Sequence, residues 1–285
     1  MFKAPAAAAA VRPAASRFER LTRVYHSEIY PLFDHWFTDP LAEVIATSPV
    51  TGAAVLDASA GAGDLSAALL KQSPARLVAM DPGGAMLGLA LEHEHLRAGV
   101  SFVRGGSAGS GYPFRNAAFD RVFARARADG AVDPLFSMRE LVRVCKPAGR
   151  IDFTAAVKGT WAEPLDLLNE ALERRGETAG RQALATYQDR FPSPDTMVAG
   201  LTFAGLADVK ISIDRKQILF RSGREFFFSS LIELGPLRSW KALVGKGEQL
   251  QAVFASVKDA IDTYYAGRPF TVTACVATVT GRRKS

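Results

Sequence analysis

The sequence predicts an α/β fold, a doubly wound, mainly parallel sheet of seven strands with helices on both faces. Two observations support this prediction. Short apolar runs alternate with segments of helical periodicity along the chain, as repeated βαβ units require. One apolar run, which ends at Asp57, leads into a small-residue turn with two glycines and then into a helical pattern. Such a strand, loop and helix direct backbone N–H groups towards a ligand.

The composition is that of an ordinary globular protein, with 48% hydrophobic and 22% charged residues. No apolar run approaches the ~18 residues that cross a bilayer, so no membrane span is expected. Cys145 and Cys275 form no CxxC pattern and have no histidine cluster nearby, so neither a disulfide scaffold nor a metal site is expected and the cytoplasm is favoured. The net charge of +6 lies partly at the two ends, and nucleic acid is not expected as a partner.

The chain is expected to form a flexible N-terminal arm, residues 1–16, followed by one domain, residues 17–285. The arm is rich in Ala and Pro, and its lack of acids leaves a mitochondrial targeting segment as an alternative. The domain is divided into a helical lid (17–50), a ligand-binding core (51–157), the second half of the sheet (158–222), a helical insertion (223–268) and a last strand with a basic tail (269–285).

Individual elements follow from periodicity and from Gly and Pro positions. Strands are predicted at residues 55–57, 76–81, 100–104, 118–124, 150–157, 207–214 and 270–280. Helices are predicted at 65–71, 85–97, 135–145, 160–175, 179–190 and 195–204, with a mostly helical stretch at 223–265. Residues 18–46 also follow a helical pattern, which Pro31 and Pro40 are expected to break into pieces.

The aromatic residues of this first helical region favour two interpretations, a helix packed on the sheet or a lid that closes over a ligand pocket. His26 and His35 lie in it and are the candidate general bases, with a structural role as the alternative. The apolar run at residues 226–232 indicates either an apolar acceptor pocket or a contact in a homodimer.

The glycine loop after Asp57 lacks two common nucleotide-binding motifs. A P-loop needs a lysine before its Ser or Thr, and none lies between Asp57 and Leu70. The dinucleotide fingerprint needs a third glycine at position 66, where Ser66 stands. Asp81 ends the next predicted strand, where a carboxylate can accept both hydroxyls of a ribose. The expected ligand is therefore a nucleoside, and not clearly NAD.

These residues resemble the class I S-adenosylmethionine-dependent methyltransferases, and most of all the small-molecule branch with ubiquinone/menaquinone-type enzymes. The family's first motif, an acid and a small-residue loop with G-x-G, is present at residues 57–63. Its second motif, an acid followed by Met-Leu, is present at Asp81-Pro82 and Met86-Leu87. Residues 113–120 and 140–150 match two further passages, and the resemblance covers about residues 50–157.

The resemblance implies a Rossmann-like fold and S-adenosylmethionine as the cofactor. The loop at residues 57–63 would carry the methionyl part, Asp81 would hold the ribose, and Met86 would pack near the adenine. The cofactor-binding residues that it implies are Asp57, Ala58, Ser59, Gly61, Gly63, Asp81, Pro82, Met86, Gly106, Ser107 and Ala124. The alternatives are that Asp81 only ends a strand and that Met86 belongs to the core. Glu140 and Arg143, three apart on a predicted helix, are expected to be structural.

The sequence departs from the family pattern at four places. Ser59 stands for the first loop glycine, and Pro147-Ala148-Gly149 stands for the more usual Pro-Gly-Gly. Gly106 stands where the family usually has an acid that reads the adenine amino group, and the segment with Arg125 and Arg127 lacks the usual aromatic or His residues. The predicted function is methyl transfer from S-adenosylmethionine to a small, partly apolar acceptor by in-line displacement. Because of the departures, a degenerate scaffold or regulator without catalysis is the alternative. A macromolecular methyltransferase is less favoured, since no RNA-binding module is appended.

Overall fold

The computed structural model describes residues 24–106, 111–126 and 134–285, with the backbone alone at residues 134–137. The predicted arm, the first part of the predicted lid (17–23), Ser107 and Arg127 lie outside the described residues. The strands of the sheet are β1 (Ala54–Asp57), β2 (Arg76–Asp81), β3 (Ser101–Arg104), β4 (Phe119–Ala126), β5 (Cys145–Ala156), β6 (Leu206–Phe220) and β7 (Phe270–Arg283).

The seven strands lie in the order β3-β2-β1-β4-β5-β7-β6. Strands β1 to β5 run parallel, and β7 is antiparallel to both of its neighbours, β5 and β6. The predicted Rossmann-like, mainly parallel sheet is confirmed. The strand order reverses between β1 and β4, so a crevice opens beyond their carboxyl ends, which is where open α/β sheets bind ligands.

The helices lie between the strands in sequence and cover both faces of the sheet. The first part of the chain forms α1 (Tyr25–Asp34, π-helical), α2 (His35–Thr47), α3 (Asp64–Leu70), α4 (Gly84–Glu92), α5 (Glu94–Gly99) and α6 (Pro134–Val144). Next come α7 (Ala162–Arg174), α8 (Thr178–Gln188) and α9 (Pro194–Phe203). The predicted insertion contains α10 (Gly223–Phe228), α11 (Ser230–Leu234), α12 (Leu237–Val244) and α13 (Gly247–Tyr264). In the described part of the chain, no helix has both the length and the apolar character that a membrane crossing needs.

Several predicted element boundaries were wrong, among them the start of β5, which is Cys145 and not residue 150. Pro40 lies inside α2 and does not end it, because Phe37 and Leu41 on the same helix are fully buried and hold it on the sheet. Pro31 also lies inside a helix, α1, and does not end it. Proline has no N–H to donate, and α1 has π-helical in place of α-helical hydrogen bonds. The helix predicted at 85–97 is two helices, because His93 has an extended backbone between α4 and α5.

β6 extends six residues beyond its predicted end, to Phe220. The added part begins with Arg215-Lys216-Gln217, which has no apolar alternation to signal a strand. Its pairing with β7 continues without interruption from Lys210 opposite Thr280 to Phe220 opposite Phe270. Main-chain hydrogen bonds to a neighbouring strand therefore specify this part of β6, and those cannot be read from local periodicity.

The largest hydrophobic cluster joins the first helices, the last strands and the insertion. Trp161 stacks on Phe33 with ring centroids 5.2 Å apart and meets Trp240 edge to face at 6.0 Å. Phe226 stacks on Trp240 at 6.1 Å. The apolar run at 226–232 is therefore largely core, although Phe228 remains 76% exposed. The division of the chain into one domain over residues 17–285 stays a prediction.

Phe226 and Phe228 lie two residues apart in α10 and differ in exposure, 0% against 76%. We expect Phe226→Ala to lower the free energy of unfolding by about 3–5 kcal/mol, because a buried aromatic side chain leaves a cavity. Phe228→Ala is the matched control and should change it by less than about 0.5 kcal/mol. Urea denaturation followed by tryptophan fluorescence measures both, and equal effects would contradict the assignment of Phe226 to the core.

Candidate functional site

Asp57, the last residue of β1, lies beneath the glycine loop and is fully buried. Its Oδ2 accepts a hydrogen bond from Ser66 Oγ at 2.8 Å, and its Oδ1 accepts one from the Ser59 N–H at 3.4 Å. Burial raises the pKa of this carboxyl, while the charge of Arg125 opposes the rise. Asp57 therefore shapes the loop from below and has no surface exposed towards a ligand.

The two loop glycines have left-handed backbones, with φ of 55° at Gly61 and 95° at Gly63. A Cβ on Gly63 would lie 2.7 Å from Leu96 Cδ1 and 3.1 Å from Ala90 Cβ, so no larger residue fits there. A Cβ on Gly61 would lie 3.3 Å from Nη2 of Arg125. Glycine is needed at both positions for backbone conformation and, at Gly63, also for the close approach of the helices behind it.

Asp81, the last residue of β2, faces this loop across the sheet edge and is 8% exposed. Its Oδ2 accepts a hydrogen bond from the Gly61 N–H at 3.0 Å, and its Oδ1 accepts one from the Gly83 N–H at 2.7 Å. An ionised carboxylate has about four acceptor positions, so about two remain on Asp81. This carboxylate thus joins the loop after β1 to the loop after β2 and can still accept further donors.

Met86 and Pro82 lie beside this carboxylate. Met86 is half-buried and packs against a small cluster of Tyr25, Ala62 and Leu89. Pro82 is exposed, and its carbonyl accepts a hydrogen bond from Arg104 Nε at 3.3 Å. The sequence-predicted loop residues and the acid at the end of β2 therefore lie together with Met86 at one edge of the sheet.

Helix α1 lies across the glycine loop. Tyr25 is 5% exposed, packs with Ala62 and Leu89, and its OH lies 3.5 Å from Asp64 Oδ2. Tyr30 packs against the same cluster, and burial together with the negative charge of Asp64 raises the pKa of its phenol. Sequence reasoning named the aromatic density of this region but did not single out these two tyrosines as residues at the loop.

The two candidate general bases lie on the same helical region. His26 is exposed, and its ring lies 6.3 Å from that of His93. Nδ1 of His35 is hydrogen-bonded to the Tyr30 carbonyl at 3.0 Å. Among the described hydrogen bonds, none joins either histidine to the glycine loop or to Asp81. Their role as bases stays a prediction.

Arg125 is a functional candidate that the sequence analysis noted only as a departure. Its side chain is buried, with 8% exposure, and its Nη1 donates to Thr38 Oγ1 at 2.9 Å. Its Nη2 donates to the carbonyl oxygens of Ser59 at 2.6 Å and Ala60 at 2.9 Å. The guanidinium therefore connects β4, the glycine loop and α2. Extending β4 to residue 126 would have placed Arg125 on the inward face with Phe123, which is the signal that could have found it.

The remaining predicted site residues line the same edge. Ala58 donates its N–H to the Phe123 carbonyl at 2.8 Å, and Ala124 is half-buried next to it in β4. Gly106 has φ of 80°, and a Cβ there would lie 3.0 Å from Met80 Cε. An acidic side chain at this position would be strained and crowded, which is a local physical reason for the missing acid.

Glu140 and Arg143 form hydrogen bonds with the backbone of residues 112–114, which lie between β3 and β4. Glu140 Oε2 accepts the Tyr112 N–H at 2.6 Å, and Arg143 donates to the carbonyls of Phe114 at 2.7 Å and Tyr112 at 3.0 Å. The two side chains also pair with each other at 2.7 Å. Their expected structural role agrees with these contacts. In the described residues, no group of three or more His, Cys, Asp or Glu side chains could hold a metal ion.

Most of the residues at this edge of the sheet lie in a segment that matches a known protein family. Residues 56–153 match the model of a family described as a methyltransferase domain. This segment is similar to a methyltransferase domain. The match confirms, for residues 56–153, the resemblance seen in the sequence.

The chain is also similar to a curated protein. The demethylmenaquinone methyltransferase of Clavibacter sepedonicus is 36% identical over 111 residues. The match spans 39% of this chain and 44% of that protein, so the chain covers less than half of the relative's length.

Solved structures share the fold of this chain. The YcgJ protein of Bacillus subtilis superposes with a TM-score of 0.55 at 19% identity, over 86% of this chain and 98% of that one. Phosphoethanolamine N-methyltransferase 2 of Haemonchus contortus, in complex with S-adenosylmethionine, has a TM-score of 0.50 at 18% identity, over 86% of this chain and 52% of that one. At these identities the likeness concerns the fold alone.

We expect Arg125→Lys to lower the free energy of unfolding by about 2 kcal/mol, because one ammonium cannot replace a planar fork that reaches a hydroxyl and two carbonyls. Arg115→Lys is the matched control at an exposed arginine and should change stability by less than about 0.5 kcal/mol. Urea denaturation of both variants checks this, and a lysine that is tolerated at position 125 would contradict the bridging role.

The hydrogen bonds from Arg143 lower the pKa of the Glu140 carboxyl. An acid with a depressed pKa stabilises the fold above its unfolded pKa, about 4.3, and loses this contribution as the pH falls through the folded value. We expect Glu140→Gln to cost about 2 kcal/mol of unfolding free energy at pH 7. The difference from wild type should shrink below about pH 4.

Unfolding free energies measured from pH 3 to pH 7 test this dependence. Glu173→Gln removes a carboxylate that is 60% exposed and pairs with Arg181, and it serves as the control with little effect at any pH. A Glu140→Gln deficit that stays constant across this range would show that the carboxylate charge is not what matters.

Proposed function

We propose that this protein transfers a methyl group from S-adenosylmethionine to a small, partly apolar acceptor. The observation that carries the proposal is the position of Asp81, whose carboxylate faces the glycine loop and retains about two acceptor positions. Those positions suit the two hydroxyls of a ribose. The family match over residues 56–153 supports the same ligand.

The residues present fit this cofactor. The loop has no side chain at Gly61 and Gly63, and a Cβ at either position would lie within 3.3 Å of neighbouring atoms. Arg125 supplies a fixed positive charge beneath the loop, beside the Ser59 and Ala60 carbonyls. A loop shaped by a buried cation is suited to a ligand with a carboxylate at its methionyl end. Asp81 would hold the ribose, and Met86 would pack near the base.

The chain's own residues then bind, orient and exclude water. When bound, the cofactor supplies an electrophilic methyl group, which the acceptor atom attacks in line with the departing sulfur. Tyr25 and Tyr30 pack over the loop and would keep water away from the reacting atoms. A phenol ionises only near pH 10, and burial raises the pKa of Tyr30 further, so Tyr30 is protonated at pH 7 and can donate a hydrogen bond. His26 and His35 remain the proposed bases if the acceptor must lose a proton.

Two observations support a small, partly apolar acceptor. The α1 helix next to the loop presents aromatic side chains, which suit a partly apolar ligand. The curated relative is named for action on demethylmenaquinone, so this compound and its analogues are the first acceptors to test. The scaffold alternative arose partly from the missing acid at Gly106, where a Cβ would lie 3.0 Å from Met80 Cε.

Calorimetric titration with S-adenosylmethionine and S-adenosylhomocysteine tests the cofactor site. We expect micromolar binding by the wild type. Asp81→Asn should weaken it by about 10- to 100-fold, because hydrogen bonds to a charged acceptor are worth about 1.5–3 kcal/mol. Asp120→Asn makes the same change at the opposite end of a strand, where Asp120 pairs with Lys146, and should leave the affinity unchanged.

No detectable heat from the wild type at millimolar cofactor would exclude the enzyme function. If binding is confirmed, formation of S-adenosylhomocysteine in the presence of demethylmenaquinone analogues tests the acceptor class. Cofactor binding without turnover on any apolar or polar small molecule would leave the scaffold alternative as the better account.

A further inference from the structure

Strand β6 forms one edge of the sheet and lies away from the residues proposed for methyl transfer. It is fifteen residues long and pairs with β7 on one side only, as the last strand in the sheet order. An edge strand presents a row of unpaired N–H and C=O groups that can pair with another strand. A long edge of this kind therefore needs either a partner or a device that prevents pairing.

Neighbouring elements cover the ends of β6 but leave its middle open. Leu206 at one end and Phe220 at the other are buried. Between them, Lys210, Ser212 and Asp214 are exposed on one face of the strand, and Ile213 on the other face is 41% exposed. The open part thus has a polar face and a face with an exposed isoleucine.

Two copies of one chain can pair along this edge in only a few registers. Closed symmetry requires a twofold axis, and an antiparallel continuation of the sheet places that axis perpendicular to it. Rotation about such an axis leaves each side chain on the same face of the sheet. Residues that lie opposite each other must share a face, so the axis passes beside one residue and not between two. Each candidate register can then be judged by the residues that it brings opposite each other.

An axis beside Ser212 gives complementary neighbours on both faces. Lys210 of one copy then lies opposite Asp214 of the other, and the symmetry repeats this pair. On the other face, Ile211 lies opposite Ile213, again twice. Opposite charges and β-branched pairs directly across two strands are the combinations that stabilise a sheet.

Neighbouring registers lack this charge pairing. An axis one residue later places Lys210 opposite Lys216, and an axis one residue earlier places Lys210 opposite Ser212, which carries no charge. An axis beside Arg215 places two arginines against each other. Because opposite charges stabilise a strand pair and like charges destabilise it, the charges favour the Ser212 register over these three.

Lys210 and Asp214 have no ion-pair partner among the described residues of their own chain. Their neighbours across β7 are Thr280 and Val276, which carry no charge. A register shift between Ala207 and Lys210 marks the start of the regular strand, so the part that can pair begins at Lys210. Lys210 therefore lies at the start of the regular segment and Asp214 four residues into it, and neither charge forms an ion pair with the described residues of its own copy.

Charges on an edge strand often serve to prevent pairing. Such protection fails in a register where the charges of the two strands attract each other. Here both signs occur, and they are complementary in the register that also pairs the isoleucines. The pattern favours pairing over protection.

We propose that two copies of this protein associate through β6 about Ser212 and join their sheets into one. The interface consists of antiparallel main-chain hydrogen bonds from Lys210 to Asp214, two Lys210–Asp214 ion pairs on one face and two Ile211–Ile213 contacts on the other. This inference does not depend on the proposed methyl transfer, because the β6 edge lies away from the carboxyl ends of β1, β2 and β4.

Sedimentation velocity over a range of concentrations tests the proposal with the full chain. Wild-type protein should sediment as a dimer of the 30.6 kDa chain at tens of micromolar. Lys210→Asp and Asp214→Lys should each raise the dimer dissociation constant at least tenfold. The double variant restores opposite charges and should recover dimerisation, as should an equimolar mixture of the two single variants.

Lys241→Asp reverses an exposed charge on α12 and serves as the control, with an unchanged dissociation constant. Circular dichroism and thermal unfolding verify that each variant is folded. A wild type that is monomeric at hundreds of micromolar overturns the proposal. A dimer insensitive to both single reversals, or a double variant and a mixture that stay monomeric, overturns it equally, because the interface would then lie elsewhere.

Discussion

The buried guanidinium of Arg125 is the interaction on which the site depends. Removing a guanidinium from water costs on the order of several kcal/mol unless hydrogen bonds and nearby negative charge offset it. Here a hydroxyl of α2 and two loop carbonyls accept its hydrogen bonds, and the charge of Asp57 lies close by. One cation thus fixes the loop, the strand beside it and the helix above it relative to each other. The cost of burying Asp57 and the cost of burying Arg125 are partly cancelled by their proximity.

The loop and the acid at the end of β2 form a second connection at the same edge. Asp81 accepts N–H groups from Gly61 and Gly83, so the conformation of the loop after β1 and that of the loop after β2 are coupled through one carboxylate. Tyr25 and Tyr30 of α1 then cover this arrangement from outside. Movement of α1 would expose the edge without breaking the hydrogen bonds that define it, because those lie within the loops, β4 and α2.

Much of this architecture could be predicted from the sequence. The βαβ alternation gave the sheet, and the acid and glycine loop placed Asp57 and Asp81 at its carboxyl edge. The contacts of Arg125, Tyr25 and Tyr30 could not be foreseen, although a longer β4 would have placed Arg125 on the inward face. Arg125 with Thr38 and Tyr25 with Ala62 are pairs of residues far apart in the chain. Local patterns also missed the end of β6, which depends on pairing with β7, and the break at His93, which has no Gly or Pro to mark it. Sequence reasoning succeeded where residues close together in the chain decide the structure. It failed where contacts between residues far apart in the chain decide it.

The position of β7 has a consequence for how the chain folds. β7 is the last strand in sequence, yet it lies between β5 and β6 in the sheet, and the helical insertion separates it from β6. Until Phe270–Arg283 is available, β6 has no strand to pair with and β5 has an open edge. Contacts of such large sequence separation form slowly, because the loop must close before any of them stabilises it. During synthesis, the first five strands can therefore assemble early, whereas the other end of the sheet must wait for the final strand to be inserted between two others.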